Sequence, residues 1–112
     1  MKMNKEQIET TIKKVAENGF LLETKTTEDN SIILEFGNCK FTFDFNSKLT
    51  LTKSVICLDY GDNFDKEEEK VNYLCSIAPY LSIYKNRIDF RIIPKNEKNL
   101  EVILERLLKS HN

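Results

Sequence analysis

The sequence predicts an α+β fold: a single antiparallel sheet with helices packed on one face. Three observations predict it. Short stretches alternate apolar with polar residues, as half-buried strands do. Three longer stretches repeat apolar residues at helical spacing. The strands also follow one another in runs rather than alternating with helices, which favours α+β over a parallel α/β design. The expected order is α-β-β-β-β-α-β-β-α. The chain has 112 residues and no linker, repeat or low-complexity tract. Residues 1–112 therefore read as a single α+β domain, long enough to bury a core without disulfides or metal.

The first helix is expected within "NKEQIETTIKKVAENG". Asn4 with Gln7 forms a capping-box pattern. Ile8, Ile12, Val15 and Ala16 fall on one face, and Gly19 suits a left-handed C-terminal cap. Four strands follow. The first is expected over Phe20–Thr26, and "TEDNS" then reads as a turn. The second covers Ser31–Phe36, with Ile32, Leu34 and Phe36 inward. Gly37-Asn38 marks a tight reversal. The third covers Lys40–Phe45, where Phe41, Phe43 and Phe45 share a face. The fourth is expected from Leu49 to Tyr60, but its parity changes: Leu49 and Leu51 point one way, Ile56, Leu58 and Tyr60 the other. An extra residue near Lys53-Ser54, a β-bulge, would restore a common face.

The second helix follows "GDNFD". Asp65 with Glu68 resembles another capping box. Val71, Leu74, Cys75 and Ala78 make its apolar stripe, and Pro79 ends it. "YLSIYKNRIDFRIIP" reads as a hairpin turning at Lys85-Asn86. Leu81 and Ile83 alternate with polar Ser82 on one strand, and Ile88, Phe90 and Ile92 alternate with Arg87, Asp89 and Arg91 on the other, so each strand is expected to have one apolar face. The last helix buries Leu100, Ile103, Leu104, Leu107 and Leu108. This element order resembles that of the dimeric secretion chaperones of type III systems, which mix three helices with an antiparallel sheet. The likeness covers most of the chain in element order, and no motif carries it. It implies a homodimer that holds another protein.

Composition excludes several chemistries. The one histidine, His111, is next to last in the chain, and chain ends make poor sites for a general base. Ser-His-Asp and Cys-His pairs are therefore not available elsewhere. With only Gly19, Gly37 and Gly61, no glycine-rich phosphate loop can be built. Cys39, Cys57 and Cys75 lie 18 residues apart and form no zinc spacing. They read as free thiols in a reducing compartment, and as core residues rather than ligands. The N-terminus has no apolar signal region and no apolar run reaches a membrane span. The expectation is a cytoplasmic protein with no cofactor and no catalytic residues. Lysine outnumbers arginine 14 to 3, with 11 asparagines and 11 isoleucines. That bias fits a low-GC bacterial, phage or mobile-element genome.

One patch stands out. Between Asp59 and Glu69 lie six acids (Asp59, Asp62, Asp65, Glu67, Glu68, Glu69) and one lysine, in a chain of net charge −1. The spacing is not that of an EF-hand. The stretch reads as a solvated loop and helix start, as a docking patch for a basic partner, or as a weak divalent-cation site. A basic stretch follows from Lys85 to Lys98, where Arg87 and Arg91 share a polar strand face with Asp89. It reads as a wet strand face or as a nucleic-acid contact, with the aromatic interleaving that stacks bases limited to Tyr80 and Tyr84. The expected function is a small non-enzymatic protein-binding protein of inhibitor, immunity or anti-defence (anti-CRISPR-like) type. It would dock on a larger basic effector through the patch, with Asp59, Asp62, Asp65, Glu67, Glu68, Arg87 and Arg91 as binding residues. The alternatives are a dimeric secretion-chaperone-like protein and a weak nucleic-acid binder.

Overall fold

The computed structural model describes residues 2–19, 23–26, 30–62 and 64–109. The order is α1 (Lys5–Glu17), β1 (Glu23–Thr26), β2 (Ile32–Phe36), β3 (Cys39–Phe45), β4 (Leu51–Asp59), α2 (Phe64–Ile77), β5 (Tyr80–Ile83), β6 (Arg87–Arg91) and α3 (Glu97–Lys109). This is the order expected from sequence. The described strands form one antiparallel sheet in the spatial order β1-β2-β3-β4-β6-β5. Strands β1 to β4 are a meander. Helix α2 then carries the chain past one strand position. The β5–β6 hairpin turns back at Lys85-Asn86 and fills the gap, which leaves β5 at an edge.

Strand periodicity decides the core. Ile32, Leu34, Phe36, Phe41, Phe43, Phe45, Leu51, Ile56, Leu58, Ile88 and Phe90 lie on one face and are buried. Over them pack Ile8, Ile12 and Val15 of α1, Val71 and Leu74 of α2, and the five α3 residues expected from sequence, in a single cluster. The ring centroids of Phe41 and Phe43 stack at 4.3 Å. The capping box of α1 is formed in both directions, with Gln7 N–H donating to Asn4 Oδ1 and Asn4 N–H to Gln7 Oε1, each at 2.9 Å. Gly19 closes the helix at φ 95°, a conformation that glycine adopts without a Cβ clash.

The β4 bulge exists but sits one step earlier than the sequence suggests. Asp44 pairs with Lys53 and Phe45 with Leu51, so Thr52 is the extra residue. Leu51 and Ser54 both turn inward, and the buried parity switches between them. Ser54 is a buried polar residue on this face. Its hydroxyl donates to the Ile92 carbonyl, and Ile92 N–H donates back to the Ser54 carbonyl at 3.1 Å. Leu49 is not part of the strand. It is exposed, with φ 61°, in a turn that Asn46 Oδ1 holds by accepting from the N–H groups of Lys48 and Thr50.

Three further expectations change. Asp65 lies inside the first turn of α2, which starts at Phe64, so it does not cap the helix; position 63 is outside the described residues. Cys75 is exposed. The buried stripe of α2 is completed by Glu67 and Lys70 instead. Leu81 and Ile83 do share the helix-side face with Phe90 and Ile88, yet they are 41% and 71% exposed, because an edge strand has a neighbour on one side only. The expected start of β1 at residues 20–22, part of the following turn at 27–29, and His111 lie outside the described residues. Asn30 is in left-handed geometry, at φ 61°.

Among the described residues no helix is long and apolar enough to cross a membrane.

Candidate interaction surface

The acidic stretch divides into a surface part and a buried part. Asp59, Asp62, Asp65, Glu68 and Glu69 are exposed. Strand β4 delivers Asp59 to the sheet's end, the turn at Tyr60–Asp62 carries Asp62, and the first turns of α2 carry the rest. Acidic side chains suit a helix start, where the dipole favours them. The turn is fixed by its neighbours. The N–H groups of Tyr60 and Gly61 donate to the Asn86 carbonyl at 3.0 and 3.3 Å, and Gly61 N–H also donates to Asp59 Oδ1 at 3.2 Å. Tyr60 packs edge-on against Phe64 at 5.1 Å. Among the described residues, none of these five carboxylates makes an ion pair with a cation.

Glu67 leaves this set. Its turn of the helix faces the sheet, and it is 9% exposed. Lys70 Nζ stands 3.3 Å from Glu67 Oε2, an ion pair whose side chains are almost out of solvent. Burial lowers the Lys70 pKa, and the Glu67 carboxylate and the nearby Cys39 act against that shift. The charge run in sequence hid this, because runs of charge normally mark solvated faces. The i, i+3, i+4, i+7 spacing of Glu67, Lys70, Val71 and Leu74 is the signal that locates it.

The open face of the sheet carries the basic residues. Arg87, Asp89 and Arg91 lie opposite Asp59, Cys57 and Val55 of β4. The acidic and basic stretches, separate in sequence, therefore meet at Asp59 and Arg87. Arg87 Nε stands 3.3 Å from Asp89 Oδ1, and its guanidinium lies 4.4 Å from the centroid of the Tyr84 ring. Both contacts hold Arg87 within its own hairpin. Arg91 is exposed and borders a shallow cleft of about 430 Å³ with Lys53 and Tyr80. Asp89 and Arg87 thus balance charge across part of this face, which makes it a mixed surface rather than a continuous cationic track.

The cysteines are ordered by burial. Burial pushes the Cys39 thiol up to about 12. Burial and the neighbouring Asp89 carboxylate push Cys57, on the open face, up to about 11. The thiolate is the reactive form, so both are held unreactive near neutral pH. A thiol-reactive dye at pH 8 is expected to label one equivalent quickly, at exposed Cys75, with the other two released by urea. Two fast equivalents would show that Cys57 is not held as described. Among the described residues no three or more His, Cys, Asp or Glu side chains converge as a metal site.

The edges of the sheet differ. Edge strand β1 exposes Glu23, Thr24 and Lys25, a charged edge of the kind that discourages pairing. Edge strand β5 is exposed at all four residues and is mostly apolar. Sequence alternation identified its faces but carried no sign that it lies at an edge.

Comparison with models of protein families, with curated proteins and with solved structures finds no match for this chain.

Proposed function

We propose that this is a non-enzymatic protein-binding protein of inhibitor or immunity type, anti-CRISPR-like in its logic, that docks on a larger basic protein through the acidic corner. Asp59, Asp62, Asp65, Glu68 and Glu69 make the contact. The observation that carries the reading is that these five carboxylates are all exposed along the chain from the end of β4 into the first turns of α2, without ion-pair partners among the described residues. Unbalanced charge on one corner of a chain of net charge −1 steers a basic partner and selects against acidic ones. Arg87, opposite Asp59, defines the corner's boundary rather than its attraction, and Arg91 lies at the other end of β6, opposite Val55. Glu67 plays no part in the contact.

Affinity capture from the native host, read by mass spectrometry, tests this reading. One stoichiometric, basic protein whose retention falls with added salt is the expected result. A bait that retains no protein, or one whose partner is acidic and insensitive to salt, would overturn it. A second reading, a dimeric chaperone-like protein, is favoured by the bare apolar edge of β5.

A further inference from the structure

Strand β5 and the residue after it contain a symmetry that the fold of one chain does not use. Tyr80-Leu81-Ser82-Ile83-Tyr84 reads alike in both directions by chemical type: aromatic, aliphatic, small, aliphatic, aromatic. A two-fold contact matches residue i to j and j to i, so a strand that pairs with its own copy must be self-complementary in this way.

The backbone agrees. Tyr84 N–H donates to the Arg87 carbonyl at 2.8 Å, which sets the alternation along the hairpin. Tyr80, Ser82 and Tyr84 turn their N–H and C=O groups toward β6, and Leu81 and Ile83 turn theirs to the open edge. Among the described residues no strand pairs with that edge. We propose that β5 pairs antiparallel with β5 of a second copy of this chain, in the register centred on Ser82.

That register sets Leu81 of each copy opposite Ile83 of the other. All the outward N–H and C=O groups of both residues are then used. Other allowed registers use fewer. Centring on Leu81 places Ile83 opposite Pro79, which has no N–H to give. Centring on Ile83 places Leu81 opposite Lys85, inside the turn. The side chains match as well. Leu81 and Ile83 meet on the helix side, beside buried Phe90 and Ile88. Tyr80 and Tyr84 meet on the open face, and aromatic and β-branched pairs are favourable across strands. Both copies keep their helices on one side of a continuous sheet.

A single short strand buries less than the roughly 800 Å² per partner of a standard interface. The cleft of about 680 Å³ beside Tyr80, walled by Ile77, Pro79 and Ile93, adds apolar surface where the Tyr84 end of the second copy arrives. The dimer is therefore concentration-dependent. It involves none of the acidic corner, so its failure leaves the proposed function standing, and the reverse also holds.

Sedimentation of the full chain across a wide concentration range tests it. The mass is expected to rise from the 13.1 kDa monomer toward twice that value. Ile83→Pro removes an N–H that faces the open edge and costs no bond to β6. It is expected to stay monomeric with an unchanged circular dichroism spectrum. Ile83→Lys, at an exposed position, decides the matter if the proline variant does not fold. Ser82→Cys in a Cys75→Ser background supplies the register. A non-hydrogen-bonded antiparallel pair brings Cα atoms to about 4.5 Å, within the disulfide range of about 4.4–6.8 Å. Mild oxidation should then give a covalent dimer. A chain that stays at 13.1 kDa throughout, a dimer indifferent to both Ile83 substitutions, or a failure of Ser82→Cys to crosslink would overturn the proposal.

Discussion

Phe41→Ala is expected to destabilise the fold by about 3–5 kcal/mol, the usual cost of emptying a buried phenylalanine site. Phe41 has no exposed surface. It sits mid-sheet, with Leu34 of β2 on one side and Ile56 of β4 on the other, and its ring stacks on Phe43. Neighbours fixed by strand pairing on both sides cannot collapse into the space. A domain of this kind has about 5–15 kcal/mol of stability in total, so the variant should unfold at much lower urea. Equilibrium urea denaturation reads this as a fall in midpoint with the slope preserved. A loss below about 1 kcal/mol would mean that the site repacks, contrary to the packing described.

Glu67→Gln is the second large effect. It removes the carboxylate but leaves Lys70, whose side chain is 2% exposed. Breaking a buried pair by removing one partner costs about 3–5 kcal/mol, because the charge that stays buried loses its carboxylate. The effect depends on pH, with a definite sign. Burial already holds the folded-state pKa of Lys70 below its ordinary value. Between the folded and unfolded pKa values the unfolded chain binds more protons, so this group's contribution to stability rises with pH and is lost as pH falls. Without Glu67 the folded pKa drops further and the window widens downward. The variant should therefore recover part of its loss relative to wild type as pH rises toward the ordinary lysine pKa of 10.5. Cys39 works in the opposite sense. With its thiol pushed up to about 12, it adds stability below its unfolded pKa that is lost as pH rises through the folded value. Measuring below the ordinary thiol pKa of 9.0 keeps that contribution constant. A Glu67→Leu/Lys70→Met double variant should lose less than Glu67→Gln alone, since apolar replacement of a buried ion pair leaves no charge buried. A Glu67→Gln loss that is small and flat with pH would show that Lys70 reaches solvent.

Much of the fold was legible in the sequence because its causes are local. Alternation at Phe41, Phe43 and Phe45 fixed a buried face, and the Asn4–Gln7 box and Gly19 fixed both ends of α1. The parity conflict in β4 required an extra residue, although hydrophobic pattern alone could not separate Thr52 from Lys53-Ser54. What escaped the sequence depends on neighbours distant in the chain. The position of β5 at an edge follows from β6 inserting beside β4, and no residue in Tyr80–Ile83 encodes that insertion. Cys75 is exposed, against expectation, and Lys70 is buried because α2 turns its polar Glu67–Lys70 pair onto the sheet, next to Cys39. Of the candidate site, Asp59, Asp62, Asp65 and Glu68 stand on the surface where the charge run placed them. Glu67 does not, since helical periodicity overrides membership in a run.

The acidic corner as the docking surface is the central claim, and a charge-reversal binding measurement tests it most directly. Asp62, Asp65 and Glu68, all exposed, are changed together to lysine. Circular dichroism should remain close to wild type and the urea midpoint should fall only modestly, because reversing an acidic residue in the first turn of a helix costs about 0.3–1 kcal/mol. Titration against the captured basic partner should show binding lost at moderate salt, with the association rate falling most. A folded triple variant that binds the partner with wild-type affinity and wild-type salt dependence would contradict the account, and would reduce the acidic corner to solvated surface.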